Sequence, residues 1–365
     1  MAKKDIISDM KILVVLNEIK CSGVSKIVCW LSNSLSEKGN EVYLYTFMGN
    51  EDFYSVNAGV NRIKDSISVN NRFIRTHRLI KRLRSIYREK NIDVSVAFSP
   101  ITSLAVILSC WGKRTKSVVA ERNDPYLDKS SVADFCRNMY RFADGAVFQS
   151  KGAANYFPIS LRNRSAIISN PVYLCENIRD YSLRDNVIVH ISRLDIHQKR
   201  QDLLLEAFKS ITDSFPQYRL KIYGDGDDRI KLEEQSKELG ISDVVEFCGK
   251  TNNTYDALMN SKLFLFTSDF EGMPNVLLEA IASGTPVVTT DYSPGGAEDL
   301  IAENSCGYVA KRGDPDNIVN CVNTLLSNED ELIICSNNAI NASKNYSPNK
   351  ISDLWASYLS DVSNN

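Results

Sequence analysis

Two glutamates, Glu271 and Glu279, bracket the start of a predicted apolar helix over residues 276–282. Glu271 precedes a Gly-x-Pro turn, and Pro274 suits the first position of a helix. Carboxylates normally avoid such apolar surroundings, so their presence here indicates a ligand. A helix start offers free backbone amides to an anion, and a carboxylate beside it can bind hydroxyls. The stretch therefore predicts a site for a molecule with both phosphate and hydroxyl groups, such as a sugar nucleotide.

Two cations, Arg193 and Lys199, lie between a predicted strand over residues 187–191 and a predicted helix over residues 201–212. A helix N-terminus supplies only about half a unit of positive charge, whereas a departing nucleoside diphosphate carries roughly two to three negative charges. The forked guanidinium of Arg193 and the point charge of Lys199 can offset most of the remainder, in place of a metal ion. Taken alone, the pair fits an ordinary loop with solvated charges equally well.

Glycines supply weaker signals after two other predicted strands. Gly224 and Gly226 follow the strand over residues 219–223, and Gly23 follows the first strand of the chain. A glycine lets the backbone approach a nucleotide, a sugar or a phosphate closely. For all three positions, a simple turn or helix entry remains about as good an explanation.

A polar run over residues 121–125 follows the predicted strand 117–120 and contains Arg122 and Asn123. Such a run at a strand end favours a role in a site over a surface loop. Two of the three histidines, His77 and His190, are expected to be structural and not ligands, and nothing in their spacing indicates a zinc site.

Short apolar strands alternate with helical patterns through the whole chain, which is typical of parallel sheets flanked by helices. A polar interval over residues 170–185 separates two such series and is predicted to be a linker. Residues 104–108 are expected to lie in a core helix. The predicted strands are 11–16, 42–47, 94–98, 117–120 and 145–148 in the first series, and 187–191, 219–223, 244–247, 263–266 and 286–290 in the second.

These patterns predict an α/β protein with two Rossmann-like halves. Ligands of open parallel sheets bind outside the carboxyl ends of the strands. All the motifs above follow strand ends, as does Lys250, so we expect them to line one cleft between two domains.

Composition narrows the classes of protein. A length of 365 residues favours two domains, and a formal net charge of -2 with 43% hydrophobic residues argues against a nucleic-acid-binding protein or a disordered chain. Nine cysteines without metal-ligand spacing are expected to be reduced thiols of a cytosolic protein. No apolar run approaches the ~20 residues of a membrane span, and the N-terminus does not resemble a signal sequence.

A predicted helix over residues 72–90 separates apolar from basic positions at helical spacing. The basic face is either a solvated surface or a site of attraction to anionic lipid headgroups or a lipid-linked phosphate. The apolar positions, expected to pack on the N-terminal sheet, are Ile74, Leu79, Ile80, Leu83, Ile86 and Tyr87, and the basic ones are Arg75, Arg78, Arg82, Arg84 and Arg88.

In combination, the motifs resemble retaining glycosyltransferases of family four. The resemblance rests on the Arg193-x5-Lys199 pair, the Gly-Asp-Gly turn at 224–226, the spacing of Glu271 and Glu279, and Gly-Gly-Ala-Glu at 295–298. It covers nearly the whole chain and is strongest from residue 187 to residue 314. It implies the GT-B architecture of two Rossmann-like domains facing across a cleft. The implied domains are 1–180 for the acceptor, 181–345 for the nucleotide sugar, and 346–365 as a helix crossing back to the first domain.

The resemblance also implies roles for individual residues. Arg193 and Lys199 would hold the donor diphosphate as leaving group, Glu271 the hydroxyls of the transferred sugar, and Glu279 those of the ribose. No metal or other cofactor is expected. Arg122 and Asn123 stand where many members place a histidine, and are assigned to the acceptor or sugar side. The implied donor-binding residues are Gly23, Gly224, Gly226, Lys250, Gly272, Met273, Pro274, Asn275, Val276 and Glu279.

The function implied is transfer of a hexose or N-acetylhexosamine, with retention of configuration, from a nucleotide sugar to a glycan acceptor. We expect a UDP-linked donor and a lipid-linked acceptor in bacterial capsule, exopolysaccharide, O-antigen or lipopolysaccharide assembly, with no nucleic-acid partner. The protein is expected in the cytoplasm, with peripheral contact to the inner membrane face through residues 72–90. A UDP-sugar epimerase of the same fold and a non-catalytic nucleotide-sugar-binding subunit remain alternatives. A dinucleotide dehydrogenase is disfavoured because no Gly-x-Gly-x-x-Gly follows the first strand.

Overall fold

Two parallel sheets organise the chain in this computed structural model, which describes residues 10–49, 51–67, 71–127 and 130–365. Contacts divide the described residues into two units. The N-terminal unit holds the chain up to Ser169 together with Asn349–Asn365, and the C-terminal unit holds Asn170–Pro348.

The N-terminal unit contains seven strands and most of the early helices. The strands are β1 (Lys11–Leu16), β2 (Glu41–Thr46), β3 (Val60–Lys64), β4 (Val94–Ala97), β5 (Lys116–Ala120), β6 (Gly145–Phe148) and β7 (Ser165–Ile167). The helices are α1 (Gly23–Glu37), α2 (Arg72–Lys90), α3 (Pro100–Cys110), α4 (Ser131–Asn138), α5 (Lys151–Asn155) and α6 (Ile159–Arg162). The strand order is β3-β2-β1-β4-β5-β6-β7, and the described pairings are parallel.

The C-terminal unit contains six strands. They are β8 (Asp185–Ile191), β9 (Arg219–Tyr223), β10 (Val245–Gly249), β11 (Ser261–Phe266), β12 (Val287–Thr290) and β13 (Gly307–Ala310). The helices are α7 (Ile196–Lys199), α8 (Gln201–Ser214), α9 (Arg229–Glu238), α10 (Thr254–Met259), α11 (Asn275–Ala282), α12 (Pro315–Leu326) and α13 (Glu329–Ser343). The strand order is β10-β9-β8-β11-β12-β13, again with parallel pairings. A last helix, α14 (Pro348–Asn364), contributes nearly all its residues to the N-terminal unit.

The sequence explains why these elements form where they do. Helix α1 begins after Ser22, whose hydroxyl accepts from the Ser25 amide, and helix α2 ends at Asn91, which adopts the left-handed conformation with φ 53°. The central strands β1 and β8 are buried along nearly their whole apolar length. Apolar side chains pack on both faces of the C-terminal sheet, against α8 and α12 on one face and against α11 and α13 on the other.

The predicted α/β fold class, with two parallel-sheet Rossmann-like halves, is confirmed. Three strands were not predicted: β3, β7 and β13. Each lies at the edge of its sheet, is only three to five residues long and is only partly buried, so it lacks the longer apolar run that marks a buried parallel strand.

One detail of the predicted helices is wrong. Helix α2 buries Leu79, Leu83, Ile86 and Tyr87 as expected, but Ile74, in its first turn, is 47% exposed. Helix α3 is a core helix as predicted and buries Ala105, Val106 and Ile107, although Leu104 and Leu108 are only partly buried. No helix in the described part of the chain is long and apolar enough to cross a membrane.

Candidate functional site

The strand order of the C-terminal unit brings two distant loops together. From β8 the chain turns to β9 on one side, while β11 pairs with β8 on the other side. The loops that leave the carboxyl ends of β8 and β11 therefore start next to each other. Such a switch point is where open α/β sheets bind ligands.

Lys199 and Glu271, which the sequence separates by 72 positions, form an ion pair at this switch point. The Lys199 ammonium donates to Oε1 of Glu271, and the two side chains are only 14% and 10% exposed. The buried hydroxyl of Ser268 donates to the same oxygen at 2.6 Å. Lys199 Nζ also lies 5.3 Å from the centre of the Phe266 ring. The remaining exposure leaves both charged groups within reach of a ligand.

Backbone and side-chain hydrogen bonds hold the two loops in register. The Asp269 amide donates to the Gln198 carbonyl at 2.9 Å, and the Gln198 side chain donates to the Phe270 carbonyl at 3.0 Å. The Thr267 hydroxyl lies 2.9 Å from the carbonyl oxygen of Lys199. The position of Lys199 relative to Glu271 is therefore set by the fold and not by the ion pair alone.

Arg193 is the exposed cation of the site. Its side chain is 64% exposed, and Nη2 donates to Asp195 at 2.6 Å and to Gln198 at 3.3 Å. Asp195 also caps α7 by accepting from the Gln198 amide. Arg193 thus stands at the mouth of the site with a local carboxylate as partner.

A buried neutral network supports the loop that carries Arg193. His190 Nδ1 lies 2.9 Å from the Leu265 carbonyl, which can only accept, so this nitrogen carries the proton. His190 Nε2 then accepts from the Ser192 hydroxyl at 2.7 Å, and the Gln201 amide donates to that hydroxyl at 2.9 Å and to the Arg193 carbonyl at 2.8 Å. Burial lowers the pKa of His190 to about 4, so the ring is neutral. The structural role predicted for His190 thus includes fixing the Arg193 loop.

Arg200 joins the same two loops, and the sequence analysis missed it. It adopts a left-handed conformation with φ 51°, where glycine is the usual residue. Its guanidinium donates to Asp202 at 3.0 and 3.1 Å and to Asp269 at 3.1 Å. The two ion pairs offset the backbone strain, of order 1 kcal/mol. A cation directly after Lys199 with an acid two residues later was the available signal.

Glu279 differs from Glu271 in having no ion-pair partner. It is the fifth of the eight residues of α11, is partly exposed, and among the described residues no group donates a hydrogen bond to its carboxylate. The pKa of Tyr255 is raised by burial and then by the charge of Glu279. The carboxylate is therefore available to hydroxyls of a ligand.

The turn before α11 is clamped from within the C-terminal unit. The Asn170 side chain donates to the Met273 carbonyl at 3.3 Å and to Asn275 Oδ1 at 2.8 Å. Pro274 is the N-cap and Asn275 the first helical residue, one position later than predicted. Gly272 and Val276 are partly exposed, whereas Met273 is buried.

Gly224 and Gly226 have a reason in the protein itself to be glycines. Gly224 has φ 136°, and a Cβ there would lie 1.7 Å from the Ser192 carbonyl oxygen. A Cβ on Gly226 would lie 2.1 Å from the Leu194 carbonyl oxygen. Both glycines therefore let the 224–226 turn pack against the backbone on either side of Arg193. Their contact with a donor stays a prediction.

Gly23 shows the opposite situation. It is exposed at the start of α1, its φ is not in the left-handed region, and a Cβ would meet no atom within 4 Å. Nothing in the fold explains the missing side chain, as expected where a ligand must approach closely. Lys250, after β10, is 80% exposed and lies 3.9 Å from Asp225.

The polar loop after β5 is mostly buried. Glu121 accepts from Arg137 Nε at 3.0 Å, and these side chains are 2% and 1% exposed. Arg122 lies between the rings of Phe98 and Trp355, 5.5 Å from each, and burial lowers its pKa to about 10. Arg122 thus ties α14 to the N-terminal sheet. Asn123 is exposed, so of the two residues assigned to the acceptor or sugar side, it is better placed to meet a ligand.

The described residues offer no obvious metal centre. Over the described ranges, no cluster of three or more histidine, cysteine, aspartate or glutamate side chains could hold a metal ion. Positive charge at the site comes from Arg193 and Lys199.

Comparison with known proteins assigns both halves of the chain. Residues 21–174 match the family described as Glycosyltransferase Family 4, and residues 177–342 match Glycosyl transferases group 1. The first match contains Gly23, Arg122 and Asn123, and the second contains the Arg193, Lys199, Glu271 and Glu279 set.

The chain belongs to glycosyltransferase family four.

Several relatives of this glycosyltransferase are similar over nearly its whole length. An α-1,4-N-acetyl-D-galactosaminyltransferase of Campylobacter jejuni is 27% identical over 97% of this chain and 99% of its own. The lipopolysaccharide outer core galactosyltransferase WaaB has a TM-score of 0.81 at 20% identity, covering 96% of this chain and 99% of its own. The Anabaena protein HepE in complex with UDP has a TM-score of 0.76 at 19% identity, covering 96% and 100%. The two solved structures show that this glycosyltransferase has their fold.

Proposed function

We propose that this glycosyltransferase transfers a hexose or N-acetylhexosamine from a UDP-linked donor to a lipid-linked glycan, with retention of configuration, in the assembly of a bacterial surface polysaccharide. The observation that carries the proposal is the Lys199–Glu271 pair at the switch point, with Arg193 at the mouth of the same site. The site combines two cations for a diphosphate with carboxylates for hydroxyls.

Lys199 and Arg193 stabilise the departing nucleoside diphosphate. Charge develops on the diphosphate as the sugar leaves, and preorganised donors aimed at developing charge lower the barrier. Lys199 is already held in place by Glu271 and by the loop hydrogen bonds, so it loses little freedom when the donor binds. The cations supply the charge stabilisation in place of a metal ion, and a diphosphate oxygen accepts the proton of the acceptor hydroxyl.

The two glutamates bind hydroxyls on different parts of the donor. Glu271, paired with Lys199, binds the transferred sugar next to the breaking bond. Glu279, which lies about one turn into α11 and has no cationic partner among the described residues, binds the ribose. Lys250 and the turn before α11 complete the donor contacts of the C-terminal unit, and the roles of Gly23 towards the donor and of Asn123 towards the acceptor stay predictions for the N-terminal unit.

The relatives support a lipid-linked acceptor. The Campylobacter jejuni enzyme is named for transfer to a GalNAc-GalNAc-diNAcBac glycan on PP-undecaprenol. The basic face of α2 fits attraction to the anionic surface that carries such acceptors, because Arg72, Arg78, Lys81, Arg84 and Arg88 are exposed along it. Phe73 and Ile74, 87% and 47% exposed, add apolar contact at the start of the helix. The protein is thus a peripheral one at the cytoplasmic membrane face.

The test is a transfer assay on the purified full chain with UDP-sugars, extracted lipid-linked glycans and EDTA. We expect release of UDP that depends on the acceptor, a glycolipid product with the donor's anomeric configuration, and full activity in EDTA. Lys199→Ala and Glu271→Ala should each reduce turnover ~10²- to 10³-fold, as loss of transition-state charge stabilisation does. Lys209→Ala, which removes an exposed lysine of α8 paired only with Asp213, is the matched control and should retain full turnover.

Four outcomes would count against the proposal. Full activity of Lys199→Ala or Glu271→Ala would remove these residues from the mechanism. Isomerisation of the UDP-sugar without an acceptor would identify an epimerase, and donor binding without turnover would identify a binding subunit. Loss of activity in EDTA would contradict the role of the cations.

A further inference from the structure

Helix α3 presents a line of apolar side chains on its outer surface. Ile101, Leu104 and Leu108 are partly exposed and recur at helical spacing. Trp111, the C-cap residue of the helix, continues the line and is 64% exposed. An amphipathic helix of a globular protein normally turns its apolar side inward, so a second apolar line outward calls for a partner.

A second apolar line runs along α4 and the 3-10 turn Met139–Phe142 that continues it. Val132, Phe135 and Phe142 are 41%, 59% and 51% exposed, and their spacing places them on one side of the helix. The two lines meet where the rings of Trp111 and Phe142 stack, with centres 6.0 Å apart and an angle of 21°. We call this surface the aromatic face; its members are Leu104, Leu108, Trp111, Val132, Phe135 and Phe142.

Cations surround the aromatic face. Arg84 of α2 donates to the Leu108 carbonyl at 2.9 Å, and the guanidinium of Arg141 lies 5.5 Å from the Phe142 ring. Lys113 and Arg114 follow Trp111 directly, and the Arg114 side chain is 94% exposed.

The nearby carboxylates do not cancel these charges. Asp93 lies 4.0 Å from Arg114, Glu89 accepts from Ser85, Asp144 accepts from the Ser117 amide and hydroxyl, and Asp134 lies in the first turn of α4. Counting also Arg88 of α2 and Arg164, whose side chain donates to the Arg141 carbonyl, cations outnumber carboxylates around the face. The surface is therefore positive although the chain as a whole has a formal net charge of -2.

Charge decides between the possible occupants of the aromatic face. A second copy of the chain would bring like charges together around the two aromatic pairs. An anionic bilayer surface instead offers headgroup phosphates to the arginines and an interfacial layer that exposed Trp and Phe side chains prefer. Apolar anchors surrounded by Lys and Arg are the pattern of proteins that lie on membranes.

The face is also separate from the predicted site. Helix α3 connects the parallel strands β4 and β5, so its C-terminal end lies at the amino edge of the sheet. The predicted site residues follow the carboxyl ends of strands. Trp111 and Phe142, which shortly precede β5 and β6, therefore lie at the opposite edge of this sheet from the predicted site residues of the N-terminal unit.

We infer that the aromatic face inserts into the interface of an anionic bilayer, with Trp111 and Phe142 as its central anchor. The inference rests on the proposed function for its purpose, because an enzyme held on the membrane meets a lipid-linked acceptor in two dimensions. It extends the membrane contact from the basic side of α2 to an apolar surface on α3 and α4.

The first test follows the fluorescence of Trp111 as the full chain is mixed with vesicles. Trp111 is largely exposed, whereas Trp355 is buried and Trp30 is only partly exposed, so Trp111 reports the insertion. We expect a blue shift with vesicles of phosphatidylglycerol and phosphatidylcholine, quenching by brominated lipid, and neither effect with phosphatidylcholine alone. Trp111→Phe should lose the signal and keep the binding. No blue shift, or an equal one with phosphatidylcholine alone, would overturn the inference.

The second test measures vesicle sedimentation of the double variant Trp111→Ser/Phe142→Ser. Its partitioning onto phosphatidylglycerol vesicles should fall about tenfold or more. Ile230→Ser removes an equally exposed apolar side chain from α9 in the C-terminal unit and should bind vesicles like the unchanged protein. Unchanged partitioning of the double variant, or a solution dimer that the double variant dissociates, would overturn the inference.

A third measurement separates this inference from the proposed function. The double variant should keep full turnover with a detergent-dispersed acceptor, since neither residue belongs to the predicted site. If the unchanged protein binds vesicles through Trp111 but transfers no sugar, the proposed function fails while the membrane contact stands. If it transfers sugar but does not bind vesicles, the membrane contact fails alone.

Discussion

The loop after β5 and the paired loops after β8 and β11 carry similar charges but use them differently. In the N-terminal unit, Glu121 and Arg137 form an ion pair whose side chains are 2% and 1% exposed. In the C-terminal unit, Lys199 and Glu271 form an ion pair whose side chains are 14% and 10% exposed. Both loops follow central strands of parallel sheets.

The difference shows what separates a structural ion pair from a site. The Glu121 carboxylate is enclosed by Arg137, the Tyr140 hydroxyl and the Asn123 amide, which leaves no direction for a ligand. Glu271 has one oxygen engaged by Lys199 and Ser268 and keeps some contact with solvent. A polar run after a strand is therefore a site only where the packing stops short of full enclosure.

The largest expected effect breaks the enclosed pair. Arg137→Met leaves the buried Glu121 charge without its cation, and removing one partner of a buried pair typically costs about 3–5 kcal/mol. We expect the free energy of unfolding in urea to fall by that amount. The donor KM, measured where the variant is still folded, should not change.

Lys199→Met is the comparison for this experiment, because it should act on turnover far more than on stability. Equal losses of stability in the two variants would show that both ion pairs have a structural role.

The second effect is a dependence of the free energy of unfolding on pH, which arises in the loops of the C-terminal unit. Burial lowers the pKa of His190 to about 4 from an ordinary 6.5, so the unfolded chain takes up a proton at a higher pH than the folded chain does. Between pH 6.5 and pH 4 acidification therefore favours unfolding, by up to about 3 kcal/mol from this residue. His190→Gln should flatten the dependence of unfolding free energy on pH over that range.

The control for the pH experiment is the variant His77→Gln, which changes an exposed histidine of α2 outside the C-terminal loops. If His190→Gln and the unchanged protein give parallel curves from pH 6.5 to pH 4, the neutral buried histidine does not govern this loop.

The smallest effect distinguishes the two glutamates of the site. Glu279→Gln removes a charged acceptor for ribose hydroxyls and should raise the donor KM about tenfold with little change in kcat. Glu271→Gln should lower kcat with a smaller change in KM. Steady-state kinetics with a varied donor checks both variants, and the reverse pattern would exchange the two roles.

Much of the fold could be predicted because buried parallel strands and amphipathic helices leave clear patterns. The bounds of α2 were predicted without error, and those of α8 to within two residues. The edge strands β3, β7 and β13 escaped prediction since strands of three to five partly buried residues carry no long apolar run. The outward side of α3 escaped because an apolar side chain on a helix looks the same in sequence whether it meets the core or the surface.

The candidate site was predicted in its charges but not in its supports. Motif spacing indicated Lys199 and Glu271, and strand order explains why they meet. Ser268, His190 and Arg200 each contact a loop or strand distant in sequence, and the local sequence around them does not name those partners. Arg122 was assigned to the site from its place in a polar run, and only the packing reveals that two aromatic rings enclose it.

The ion pairs of Lys199 with Glu271 and of Arg193 with Asp195 affect how well small cellular anions can bind to the two cations. Orthophosphate arriving at the site would have to compete with Glu271 for Lys199 and with Asp195 for Arg193, and it would bring nothing for the displaced carboxylates. We expect a nucleotide sugar to bring a diphosphate for the cations and hydroxyls for Glu271 at the same time. We therefore expect these ion pairs to favour ligands that carry both kinds of group over common small anions.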